Sequence, residues 1–92
     1  MGATRLNLEI YSHTMYFRKR FKVFAYTEEY LQFTYNSYYD YACVTIMKTS
    51  QKCFRVMSFI SHLQVKKLAE YKSFRTIAEL CVYLDTLSVS LV

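Results

Sequence analysis

A chain with no proline and a single glycine, Gly2, must build its turns from residues that carry a Cβ. Glycine-rich phosphate loops are ruled out with the glycines. Aromatic rings take their share instead: 10 Tyr and 7 Phe in 92 residues, eleven of them between Tyr16 and Tyr41. Rings supply large buried area, and Tyr suits both a core and a contact surface. Ninety-two residues make one small domain, 1–92, with little volume for a large core. The apolar fraction of 53% excludes disorder and leaves more apolar surface than so short a chain hides easily. Self-association or a tight partner is therefore expected.

Hydrophobic periodicity predicts an α+β protein. Residues 5–12 alternate, with Leu6, Leu8 and Ile10 on one side, and 16–26 alternate around Phe17, Phe21, Val23 and Ala25. Opposing Ser12 to Phe17 sets Leu8 against Phe21 and Glu9 against Arg20, a hairpin in which apolar meets apolar. Residues 30–36 read as a third strand, although Thr27-Glu28-Glu29 also fits a helix start. Two more strands are expected at 41–48 and 53–60, with Ala42, Val44 and Ile46 facing the same way as Met57 and Phe59. Ser61-His62-Leu63-Gln64 then fits a capping box and predicts a helix over 62–72. Ser73 caps a second helix, 74–86, whose stripe is Phe74, Ile77, Ala78, Cys81 and Leu84. The expected fold is thus a four- to five-stranded antiparallel meander followed by two helices on one face. A helix at 27–40 and a strand at 87–92 would instead give a ferredoxin-like β-α-β-β-α-β order with an extra N-terminal strand.

Two surfaces are candidates for function. Tyr30, Tyr35, Tyr38, Tyr39 and Tyr41 crowd one segment, more phenols than a small core can seat with every hydroxyl satisfied. They predict a non-enzymatic protein-binding module, a homodimer or an inhibitor or adaptor of a larger protein. A short motif-free chain also suits a phage- or mobile-element-encoded inhibitor. The alternative is a nucleic-acid binder: Arg18, Arg20 and Lys22 would share one strand face, bracketed by Tyr16, Phe24 and Tyr26. The formal charge of +5 weakly favours anionic partners without specifying nucleic acid.

Signals for chemistry are sparse. Cys43, Cys53 and Cys81 form no CxxC pair and lie far from His13 and His62, so no metal or cofactor is expected. They read as buried, reduced thiols. No acid is evidently placed to orient either histidine, and Glu28, Glu29 and Asp40 are explained by capping and turns, so an enzyme is not expected. A secretory core, a myristoylation pattern (Leu6 stands where Ser or Thr is needed) and a membrane span are not evident, which makes a cytoplasmic location the expectation.

Overall fold

Among the described residues, five antiparallel strands in simple meander order carry three helices on one face. A computed structural model describes residues 2–27, 30–50, 53–62 and 66–90. Helix α1 spans Gly2–His13 and the single-turn α2 spans Phe17–Arg20. The strands are β1 (Lys22–Tyr26), β2 (Tyr30–Asn36), β3 (Asp40–Ser50), β4 (Cys53–His62) and β5 (Lys66–Phe74). Helix α3, Ile77–Val89, closes the described chain. The sheet order is β1-β2-β3-β4-β5, so strands adjacent in sequence are adjacent in space. The α+β class, the five-stranded antiparallel meander and the C-terminal helix agree with the sequence expectation.

Alternation decides which side is covered. In β2, Leu31 and Phe33 are buried; in β3, Ala42, Val44 and Ile46; in β4, Phe54, Val56 and Ser58. Leu6 and Ile10 of α1, Phe17 of α2, and Leu80, Cys81, Leu84 and Leu87 of α3 belong to the same core cluster. Phe17 and Phe21 stack at 4.5 Å between ring centroids, and Phe33 meets Phe17 edge-on at 4.9 Å. Each such buried ring contributes about 1.5–3 kcal/mol. All three phenylalanines are core residues.

Several elements differ from the sequence expectation. Residues 5–12 lie in helix α1, and the proposed first hairpin with its Glu9–Arg20 pairing does not exist. Leu6 and Ile10 are one helical turn apart and buried, whereas Leu8 is 64% exposed. A spacing of four satisfies both a strand face and a helix face, and Leu8 alone made the pattern look like alternation. The same degeneracy acts at Phe17 and Phe21: residues 17–20 are helical, and only 22–26 form the strand. The C-terminus of α1 is finished by side chains, with Ser12 Oγ donating to the Glu9 carbonyl and Thr14 Oγ1 to the Ile10 carbonyl.

The β3–β4 register is shifted by one from the expected pairing. Ala42 opposes Ile60, Val44 opposes Ser58 and Ile46 opposes Val56. An irregularity between Lys48 and Ser50 inserts the extra residue, which sends Met57 and Phe59 to the other face. The 62–72 helix is also absent: Lys66–Phe74 is an edge strand pairing along β4. Helix propensity in Lys-Lys-Leu-Ala-Glu yields to that ladder. Ser61 and His62 end β4, while the remaining box residues Leu63 and Gln64 lie outside the described residues. The true N-cap of α3 is Thr76, whose Oγ1 accepts from the Glu79 N–H at 3.2 Å, so Phe74 stays in β5 and Ala78 is exposed. With 30–36 a strand and 87–89 helical, the ferredoxin-like alternative is excluded.

Candidate functional site

Since all three helices pack on one side, the other side of the sheet is left open across β2–β5. Register places its residues in rows. Tyr30, Met47, Arg55 and Ser73 form one; Gln32, Thr45, Met57 and Tyr71 the next; Thr34, Cys43, Phe59 and Ala69 the third. Asn36, Tyr41 and Ser61 begin the fourth. Met57 is 50% exposed and Tyr71 54%, and Tyr41 and Met47 are also exposed. A depression of about 520 Å³ spans β2 to β5; Gln32, Cys43 and Thr45 line it from β2 and β3, and Met57, Ser58, Phe59, Ala69, Glu70 and Tyr71 from β4 and β5. Gln32 Nε2 donates to Cys43 Sγ at 3.0 Å, which fixes the floor of that depression. Among the described side chains of β2–β5 the face carries no carboxylate and one cation, Arg55, and Lys22 of β1 adds a second beside Thr34. A hydrogen bond with Tyr71 holds the Arg55 guanidinium above its ordinary pKa. Burial, and then the neighbouring Cys43, raises the Tyr41 phenol.

The predicted tyrosines divide among three places. Tyr30 and Tyr41 lie on the open face, with Tyr41 at 6.4 Å from the Phe59 ring. Tyr35 points the other way: it is partly buried and its ring sits 5.8 Å from Phe21. Tyr38 and Tyr39 occupy the β2–β3 turn, edge to face at 4.6 Å, with Tyr38 91% exposed. Sequence reasoning missed Met57 and Phe59 on the open face because the β3–β4 register was off by one, and Tyr71 because it was assigned to a helix.

The basic stripe is not a strand face. Arg18 and Arg20 belong to α2, while Lys22, Phe24 and Tyr26 belong to β1. Arg18, Lys22, Tyr16, Phe24 and Tyr26 are exposed, but the cations no longer repeat every second residue along one strand.

An acid does orient one histidine, contrary to expectation. Asp40 and His62 are paired across β3 and β4, and the Asp40 carboxylate bonds His62 Nδ1 through Oδ1. Asp40 is buried, its N–H donates to Ser37 Oγ, and its Oδ2 is buried without a hydrogen-bond partner. An Asp–His pair is two-thirds of a hydrolytic triad, but among the described residues no hydroxyl or thiol bonds the His62 ring. Glu28 and Glu29, grouped with Asp40 in the sequence reading, lie outside the described residues.

Other polar groups serve the fold. Tyr83 of α3 bonds Ser58 Oγ at 2.8 Å and donates to Glu70 at 3.1 Å, joining the helix to β4 and β5. Burial raises the Tyr83 phenol, with the Ser58 bond opposing. Lys72 Nζ stands 5.2 Å from the Tyr83 ring centroid, so the charged inner side of edge strand β5 is satisfied by α3. Among the described residues no three His, Cys, Asp or Glu side chains form a metal-binding group. No helix there is long and apolar enough to cross a membrane. Compared with known protein families, with curated proteins and with solved structures, the chain matches none.

Proposed function

We propose that this protein is a non-enzymatic binding module that holds a protein partner against the open face of its sheet. The observation that carries this reading is the exposure of Met47, Met57, Tyr41 and Tyr71 on one contiguous face, with no carboxylate among its described side chains. Met and Tyr are favoured in contact surfaces because they present large area at modest ordering cost. A face of this kind in water is costly, and covering it recovers about 25 cal/mol per Å² of apolar area. The partner surface that fits is apolar and close to neutral. Inhibition of a larger protein or an adaptor role would work by the same contact.

The test is association of the purified chain with its binders before and after Met57→Lys. That substitution puts a charge at the centre of the face without touching the core. Binding should fall at least ten-fold, while Tyr38→Ala at the turn should leave it within about two-fold. Equal binding by wild type and Met57→Lys would remove the reading.

A second reading is nucleic-acid binding at the α2–β1 edge, favoured by exposed Arg18 and Lys22 beside exposed Tyr16, Phe24 and Tyr26. On that reading Arg18→Ala with Lys22→Ala weakens binding to a labelled single strand and reduces its salt slope by about 2. No shift of the strand at low salt rejects it.

A further inference from the structure

We infer that the occupant of the open face is a second copy of this chain, related by a two-fold axis that runs along the strands between β3 and β4. This rests on the protein-binding reading and names its partner. Two facing sheets pack about 10 Å apart, so their side chains must interdigitate.

The open face is stepped. In the two central rows the large groups Met57, Phe59 and Tyr71 stand on β4 and β5, with the small Ala69 beside Phe59, while Thr45, Cys43, Gln32 and Thr34 stand on β3 and β2. A two-fold along the strands sets β3 over β4 and β2 over β5. Each residue then meets the cross-strand neighbour it already has, but in the other copy. Met57 comes over Thr45, Phe59 over Cys43, Tyr71 over Gln32 and Tyr41 over Ser61. A two-fold across the strands would instead stack Met57 on Phe59 and Thr45 on Cys43, clashing at one place and leaving a void at the other.

Charge and area agree with self-pairing. Arg55 comes opposite Met47 and not opposite its own copy. Four strands about 4.8 Å apart and four rows about 6.8 Å apart project roughly 500 Å² per copy, so a pair buries about 1,000 Å² before side-chain relief. That reaches the lower bound for a specific interface.

The test uses sedimentation velocity over a concentration series on wild type, Thr45→Met, Met57→Thr and the combined variant. Wild type should sediment with twice the 11.0 kDa chain mass. Thr45→Met overfills the contact and Met57→Thr empties it, so each should raise the dissociation constant roughly 10- to 100-fold. The combined variant exchanges the step and should return to within about three-fold of wild type. Cys43 alkylation should be slowed in the dimer and fast in Met57→Lys, whose far-UV circular dichroism reports that it is folded. A wild type that stays monomeric at about 100 μM, or a dimer indifferent to both single variants, overturns the inference. A monomeric wild type that binds another protein, with binding lost in Met57→Lys, overturns the second copy alone and leaves the binding reading standing.

Discussion

Removing the Asp85 carboxylate should loosen the join between the two ends of the chain. Asp85 lies on α3, and its oxygens accept from the backbone N–H groups of Met15, Tyr16 and Phe17 at 2.9–3.1 Å. Those donors belong to the turn between α1 and α2 and to the first residue of α2, where no preceding helical carbonyl can serve them. The cost of Asp85→Ala follows from what replaces the carboxylate. Met15 and Tyr16 are exposed, so water takes over and each bond loses roughly 0.5 kcal/mol. Phe17 is fully buried and its N–H is less accessible, so that bond is worth about 1–2 kcal/mol. The total, about 2–3 kcal/mol, lowers the melting temperature of a domain this size by roughly 10–20 °C. Asp85→Asn keeps a carbonyl acceptor but loses the charge, and should fall about halfway. Thermal melts followed by far-UV circular dichroism, at one fixed protein concentration, measure all three. An Asp85→Ala protein that melts within about 3 °C of wild type would refute the reasoning.

Two further outcomes follow from buried groups. Burial, then the charges of Asp85 and Glu9, push the Cys81 thiol from 9.0 to about 11. The native state therefore keeps that proton longer than the unfolded chain, so this contribution to stability is intact below pH 9.0 and is lost as pH rises through about 11. Urea unfolding at a series of alkaline pH values should show this decline and a flatter one for Cys81→Ala, and an identical slope rejects it. His62→Ala strips Asp40 of its partner and leaves a buried carboxylate with both oxygens unpaired, costing about 1–3 kcal/mol. Adding Asp40→Asn should recover part of that loss in a double-mutant cycle, and a double variant less stable than His62→Ala alone is the contrary result.

Legibility in the sequence tracked how far each pattern depended on distant partners. Strand β2 was readable at its observed bounds, Tyr30–Asn36, because Leu31 and Phe33 alternate within a run of strand formers. Strands β3 and β4 were readable as strands, but their register was not. A single extra residue near Lys48–Ser50 reverses which face every later side chain takes. The candidate site suffered most from this. Tyr41 and Tyr30 were found by composition, whereas Met57, Phe59 and Tyr71 reach the open face only through the shifted register and the edge pairing of β5. The Asp40–His62 pair joins residues 22 positions apart, and no local pattern announces it.

The sequence by itself determined the α+β class, the antiparallel meander, the final amphipathic helix and the burial of Phe17, Phe21 and Phe33. These follow from short-range periodicity and from the free energy of removing rings from water, and both act before any long-range contact exists. Tertiary structure decided the rest. Leu6–Ile10 and Phe17–Phe21 are each four residues apart, a spacing that a helix and a strand satisfy equally, and packing over Leu31 and Phe33 selected the helix. The ladder along β4 likewise drew 66–74 out of its helical preference. With α1, α2 and α3 gathered on one side of the sheet, the opposite face stays open to water, because three short helices can cover only one of its two sides.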